Sequence, residues 1–319
     1  MKTVIPKKIL FDCDPGVDDS VALLLALCAG DALEILGITT VAGNVGIEQT
    51  TRNACVMREI AGRFTVPVVA GAERPLKREP IEASHFHGET GLGDLPFTEP
   101  KHGPLTITAQ AFLREQLRHA EASSISWVIT GPMTNAASLI SDEPHLLRAI
   151  KEFVIMGGAR SEGGNITASA EYNIFADPHA ARCIFDTGLP VYAFGLDATH
   201  QVRATSARIA ALKAIPTPSA QAAATLLDFA SRLPAYSEEA GSPVHDPCPV
   251  AWLLAPELFE FRLCSVEVEC DSPLTVGHTA VEFRPQPQRV QNVHWAVRAD
   301  AEGCFALLEA TLSGERHTG

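Results

Sequence analysis

The sequence predicts an α/β protein built on an open, mainly parallel, doubly wound sheet with helices on both faces. Three observations carry that prediction. Over the first two thirds of the chain, short strand-like runs alternate with helix-like segments, as in repeated βαβ units. Strand candidates such as Trp127-Val128-Ile129 and Phe153-Val154-Ile155 are continuously apolar, as strands covered on both faces are. Polar residues recur directly after the strands, where the carboxyl ends of a parallel sheet converge on one crevice.

In chain order, residues 8–13 form a short apolar run that meets a turn at Pro15-Gly16, and 20–29 are apolar, unbroken and helix-forming. The alternation continues through 33–41, 48–61, 66–70, 106–120, 126–130, 135–140, 152–156 and 178–186. Right-handed crossovers then assemble the strands into one sheet. Residues 74–104 break the rhythm. They are rich in Pro, Gly and His and too long for an ordinary connection, and long exceptions of this kind are often functional. A helical stretch is expected over 204–233, an antiparallel extension of short strands over 259–297, and a final helix over 300–312. No repeat, low-complexity tract or interdomain linker appears, so residues 1–319 are expected to be one domain.

With 46% apolar residues the chain can bury a sizeable core. A formal charge of −13 and a pI near 5.3 disfavour nucleic-acid polymers and anionic membrane surfaces, leaving small neutral or cationic substrates. Eight cysteines without a Cys-x-x-Cys pair suggest reduced thiols and a cytoplasmic location. No export signal is visible, and the apolar run 21–29 is too short to span a membrane.

The most informative feature is Asp12-Cys13-Asp14-Pro15-Gly16-Val17-Asp18-Asp19, four acids within eight residues of a strand-to-helix loop. Crowded carboxylates raise one another's pKa and destabilise a fold unless a cation sits among them. One Asp there would be ordinary turn or cap chemistry, and Asp18 or Asp19 can cap the following helix. Oxygen-only donors favour Ca²⁺ or Mg²⁺ over zinc. The other strand ends add Asn44, Thr130 and Met156-Gly157-Gly158, although Asn44 taken alone reads more readily as a turn residue. Glu162-Gly163-Gly164-Asn165 and Glu171-Tyr172-Asn173 offer the donors and acceptors that grip several hydroxyls of a sugar. Val244-His245-Asp246-Pro247 sets a His beside an acid, with Pro247 at the first turn of a helix. Asp246 read alone is equally a helix cap.

Taken together, these segments resemble the inosine-uridine preferring nucleoside hydrolases. The resemblance rests on the Asp12–Asp19 motif, Val-Ala-Gly-Asn at 41–44, His-Gly-Glu at 87–89, Thr-Gly-Pro-Met-Thr-Asn at 130–135, Met-Gly-Gly at 156–158, Glu-Tyr-Asn at 171–173 and Val-His-Asp-Pro at 244–247. It implies a Rossmann-like fold and a Ca²⁺ held by Asp14, both oxygens of Asp19, the Thr130 carbonyl and Asp246, with ribose hydroxyls completing the shell. It further implies that Asp18, Asn165, Glu171 and Asn173 bind the ribose, that Met156 and Asn44 line its pocket, and that Asp12 supports the site. His245 would protonate or contact the departing base, and His87 would sit in the loop that closes over it. The implied reaction is hydrolysis of the N-glycosidic bond of a ribonucleoside, with Asp14 as the base that deprotonates water, in a homodimer or homotetramer.

The chain departs from the family pattern on the helix before the His-Asp pair, where purine-favouring relatives carry aromatic residues. Phe229 and Tyr236 are available to stack on a base. Leu233 and Ser237 stand where a tyrosine or glutamine is expected, and Pro234 is expected to bend the helix. Base preference is therefore left open. Two rival readings exist: a Mg²⁺-dependent phosphohydrolase of the haloacid dehalogenase type with Asp12 as nucleophile, and a Ca²⁺-dependent nucleoside- or sugar-binding protein without catalysis. The first also needs a downstream Ser or Thr, a Lys and a second acidic pair, whereas here the acids share one loop. A zinc site on His85 and His87 lacks further ligands at a fixed spacing, and His200, His278 and His294 read as ordinary histidines.

Overall fold

A computed structural model describes residues 6–96, 99–236, 240–285 and 290–314. Its strands are β1 (Lys7–Cys13), β2 (Leu33–Thr40), β3 (Val68–Ala70), β4 (Ile125–Ile129), β5 (Ile150–Met156), β6 (Val191–Phe194), β7 (Arg203–Ala204), β8 (Ser242–Pro243), β9 (Phe259–Val268), β10 (Thr279–Glu282) and β11 (Val293–Ala299). The helices are α1 (Val17–Cys28), α2 (Ile47–Ile60), α3 (Ser84–His87), α4 (Ala109–His119), α5 (Thr134–Asp142), α6 (Tyr172–Ala176), α7 (Pro178–Phe185), α8 (Leu196–Thr199), α9 (Ser206–Ala214), α10 (Pro218–Ser231), α11 (Pro247–Leu254) and α12 (Ala301–Ser313).

Nine strands form one sheet in the order β10-β9-β11-β6-β5-β4-β1-β2-β3. Every pairing from β3 to β11 is parallel, and β9 runs antiparallel to both β11 and β10. The chain leaves β1 toward β2 and β3, then restarts on the other side of β1 with β4, β5 and β6. That reversal opens a crevice at the carboxyl end of β1, the usual ligand position in such sheets. Asp14 follows β1 directly.

Side-chain alternation explains why both faces are covered. Ile9 and Phe11 of β1, with Val128 and Val154, point to the layer of α1, α2, α10, α11 and α12, while Leu10, Trp127, Ile129, Phe153 and Ile155 point to α4, α5 and α7. Each such side chain, removed from water, stabilises by roughly 1.5–3 kcal/mol. The doubly wound architecture is thus as the sequence predicts, Rossmann-like, with a small antiparallel pair, β7 and β8, apart from the main sheet.

Three details differ from the sequence reading. The single helix expected over 204–233 is two helices, because Pro216 and Pro218 interrupt it; Thr217 caps the second by accepting from Ala220 N at 3.2 Å, with Pro218 in its first turn. Strand β6 was not anticipated, since four residues give too little periodicity, and it draws β11 into the parallel sheet. Pro234 bends no helix, because α10 has already ended at Ser231. Ser237 lies outside the described residues. Among those described, no helix is long and apolar enough to cross a membrane.

Candidate active site

The acidic loop is placed by the turn between β1 and α1. Asp12 ends inside the sheet, fully buried, where Oδ1 accepts from Thr39 Oγ1 at 2.6 Å and from Asn135 Nδ2 at 2.8 Å. Burial pushes its carboxyl up to about 7 in spite of those bonds. Asn135 also donates to the Thr40 carbonyl and accepts from Ala72 N, so Asp12 organises the ends of β1, β2 and β3.

Asp14 points into the crevice. Its Oδ2 accepts from Asn44 N at 2.8 Å, while Oδ1 is buried with no hydrogen-bond partner. A Cβ on Gly43 would collide with this carboxylate, and one on Gly131 would lie 2.5 Å from Oδ1, so the walls leave room for the carboxylate and nothing bulkier. Asp19, in the first turn of α1, accepts from Thr130 Oγ1 at 2.8 Å through Oδ1, and from Asn44 Nδ2 at 2.9 Å and Gly16 N at 3.3 Å through Oδ2. Asp246 precedes α11 but makes no side-chain cap there; its carboxylate stays in the crevice beside Asp19. Oxygens of Asp18, Asp19 and Asp246 lie within 4.8 Å of one another, Asp18 being the more exposed.

Desolvation dominates the electrostatics. Burial, then the charge of Asp19, pushes Asp14 well above the ordinary carboxylate range; burial, then Asp18, pushes Asp19 up to about 7; and burial, then Asp18, raises Asp246 strongly. Four converging acids, one with an orphaned oxygen, form a donor set made for a hard divalent cation. Asp14 is not among the three carboxylates that approach most closely, but Asn44 ties it to Asp19.

The segment after β5 forms the opposite wall. Glu171 is buried and caps α6, accepting from Gly158 N, Asn173 N and Ile174 N, yet burial still lifts it to about 7. Asn173 Nδ2 donates to the Thr130 carbonyl at 2.6 Å and to the Met156 carbonyl at 3.2 Å. Asn165 is exposed, and its Oδ1 accepts from Tyr172 N at 2.9 Å.

A third group closes the other side. His87 is buried, and its Nδ1 accepts from Val17 N at 3.0 Å, so the neutral ring carries its proton on Nε2. Burial holds it down to about 4. His245 is partly exposed at one edge but enclosed by protein; burial, then His200 and Arg203, hold it down to about 3, and its Nδ1 lies 2.8 Å from Thr199 Oγ1. Phe229, from the end of α10, presses its ring against Gly93, and Arg232 pairs with Asp94 at 2.5 Å. Phe86 meets Tyr236 edge-on at 5.9 Å between centroids.

The crevice therefore gathers Asp14, Asp18, Asp19, Asn44, His87, Thr130, Met156, Glu171, Asn173, His245 and Asp246, with Asn165 and Phe229 at its edges. His85 and His87 share no face: on one helical turn, His85 is exposed and His87 buried. The sequence reading missed three contributors. Tyr172 donates from its hydroxyl to the Gly43 carbonyl at 2.7 Å, binding the two walls together. Thr199 reaches the site from α8, a four-residue helix with no periodic signal, and His200 follows directly after it; the His200 and His245 rings lie 5.7 Å apart. A separate open cleft of about 1120 Å³ beside β3, lined by Thr51, Arg74, Gln110 and Ser138, contains none of these carboxylates.

Residues 9–306 match the family model of the inosine-uridine preferring nucleoside hydrolases. The chain belongs to that family. It is similar to the pyrimidine-specific ribonucleoside hydrolase RihA of Shewanella baltica, 44% identical over 309 residues that cover 96% of each chain, and to an uncharacterized protein of Schizosaccharomyces pombe, 40% identical over 86% of this chain and 89% of that one. Among solved structures, a plant nucleoside hydrolase superposes with a TM-score of 0.89 at 29% identity, covering 97% of this chain and 99% of its own. A purine-preferring ribonucleoside hydrolase from Gardnerella vaginalis does so with 0.88 at 30%, covering 97% and 98%. The chain is accordingly an N-glycosyl hydrolase of the ribonucleoside hydrolase type, and its acidic cluster is suited to a metal.

Proposed function

We propose that the chain, acting as one domain over residues 1–319, is a Ca²⁺-dependent hydrolase of ribonucleosides, with pyrimidine ribonucleosides turned over fastest. The observation that carries this reading is the convergence of Asp14, Asp18, Asp19 and Asp246 at the sheet's reversal point, with a buried Asp14 oxygen lacking any partner. Asp14, Asp19, the Thr130 carbonyl and Asp246 would hold the ion. The pyrimidine preference is supported by the 44% identity to enzymes named pyrimidine-specific. Nucleoside catabolism or salvage in the cytoplasm by a homodimer or homotetramer completes the reading.

When bound, the cation would neutralise the clustered carboxylates and lower the pKa of a neighbouring water. The residues would do the rest. Asp14, whose carboxylate faces the crevice with one oxygen free of partners, accepts the proton of the attacking water. Glu171, Asn173, Asn165 and Asp18 grip the ribose hydroxyls, while Met156 and Asn44 shape the floor. Breaking the N-glycosidic bond builds positive charge on the sugar, which the surrounding carboxylates stabilise. His245, neutral at pH 7, contributes a hydrogen bond to the departing base, and His87 and Phe229 flank that base.

Product analysis over a panel of ribonucleosides tests the reading: uridine and cytidine should give ribose and free base, chelation should abolish the reaction, and added Ca²⁺ should restore it. Turnover unaffected by thorough chelation would overturn the metal assignment. Release of phosphate from phosphomonoesters, or tight ribose binding without base release, would favour the rival readings.

A further inference from the structure

We propose that Thr199 is a positioning residue for the leaving group: its hydroxyl donates to His245 Nδ1 and so keeps the imidazole N–H on Nε2, free to hydrogen-bond the departing base. The proposal rests on the nucleoside hydrolase reading above. A neutral imidazole has one donor nitrogen and one acceptor, and the partner of the first decides what the second can do. Thr199 is fully buried, and its Oγ1 lies 2.8 Å from Nδ1.

The surroundings hold that hydroxyl in place. Asp197, on the same turn, accepts from Arg160 N at 2.9 Å and from Ser161 N at 2.8 Å, and His200 Nδ1 lies 3.0 Å from Glu162 Oε2. These bonds pin α8 to the loop that continues to Asn165 and Glu171. On the other side, Val244 N donates to the Val202 carbonyl at 2.8 Å, and Arg203 and Ala204 pair with Pro243 and Ser242. Residues 197–204 therefore fix the backbone of His245, orient its ring and anchor the ribose-side loop, all from one turn after β6.

The test compares uridine with p-nitrophenyl β-D-ribofuranoside, whose phenolate leaves without a hydrogen bond. Thr199→Val, which keeps the shape and removes the hydroxyl, should lower kcat on uridine on the order of 10- to 100-fold, less than the 10²- to 10⁴-fold typical of a whole acid-base group because His245 itself remains. Its KM should stay within about twofold, turnover of the aryl riboside should persist, and Thr199→Ser should restore uridine hydrolysis, because the hydroxyl alone is at issue. Wild-type kcat on uridine in Thr199→Val would overturn the proposal, as would equal losses on both substrates at an unchanged melting temperature. Should the valine variant not fold, Thr199→Ala removes the same hydroxyl and is judged by the same ratio of substrates. A wild-type enzyme inert on both substrates with Ca²⁺ present would instead overturn the parent reading, and this inference with it.

Discussion

Asn44 places its side-chain amide 2.9 Å from the Oδ2 of Asp19, just beyond the ends of the paired strands β1 and β2. The same residue gives its backbone N–H to Asp14, so one residue just past the end of β2 sets the spacing of two buried carboxylates. Partners of this kind typically control metal affinity by 10- to 100-fold. Asn44→Ala keeps the backbone bond and loses the side-chain bridge. It should weaken Ca²⁺ binding by about that factor, measured by titration calorimetry, while its metal-free melting temperature changes little. An unchanged dissociation constant would refute the bridging role.

The buried acids give a pH dependence whose sign can be worked out. Burial pushes Asp12, Asp19 and Glu171 up to about 7 in the folded protein and raises Asp14 and Asp246 well above the ordinary carboxylate range, against values near 4 when unfolded. The folded state therefore binds more protons, and the stability this contributes is lost as pH rises through the folded values. His87 and His245, held down to about 4 and 3, act in the opposite sense, but only below pH 6.5. Between pH 7 and 8.5 the carboxyls dominate, and the buried thiols of Cys13 and Cys248, raised above their ordinary range, act in the same direction toward the upper end. The melting temperature in chelator should fall across that window, and the increase on adding Ca²⁺ should be larger at pH 8.5 than at pH 7, since the ion competes with protons for the same oxygens. A metal-free melting curve that is flat or rising from pH 7 to 8.5 would contradict the burial of ionisable acids.

Much of this site was legible because its chemistry is packed into strand-end motifs. Asp14, Asn44, Thr130 and Met156 each follow a strongly apolar strand, and the rule for parallel sheets brings strand ends together without further information. What stayed hidden came from elements too short or too irregular for periodicity. β6 has four residues and α8 has four, so neither the strand that draws the tail into the sheet nor the turn that carries Thr199 and His200 leaves a pattern. Asn44 was legible as a pocket residue, but the bridge it makes to Asp19 depends on the relative height of β1 and β2, which no sequence spacing encodes. The helix break at Pro216 and Pro218 was readable in principle from the prolines, and the apolar periodicity on either side outweighed it.

On the base side, Gly93 sits at φ +53°, and a Cβ there would run into the ring of Phe229. Gly93→Ala should therefore push Phe229 out of place and raise KM for nucleosides several-fold, besides the cost of roughly 1–2 kcal/mol for a side chain in the left-handed region. In a Phe229→Ala background the collision is gone, so adding Gly93→Ala should change KM little while the backbone cost to stability persists. Additive effects on KM would show that the two residues act independently. The neighbouring Arg232–Asp94 pair is more than half exposed on both sides, so breaking it should change stability by less than about 1 kcal/mol.

The strongest demand falls on Asp14. Asn is nearly isosteric with Asp, so Asp14→Asn fits the space left by Gly43 and Gly131, and its amide oxygen can still accept from Asn44 N. The substitution removes a buried negative charge from beside Asp19, so the metal-free protein should be at least as stable as the wild type, most visibly near pH 8 where the acid is costliest. It also replaces the carboxylate proposed to take the proton of the attacking water by a far less basic amide, so kcat at saturating Ca²⁺ should fall on the order of 10²- to 10⁴-fold. Paired measurements of kcat and melting temperature separate the outcomes. Lost activity in a stable protein supports Asp14 as the base, loss of both would reduce it to a structural residue, and wild-type turnover would assign the proton transfer to another group.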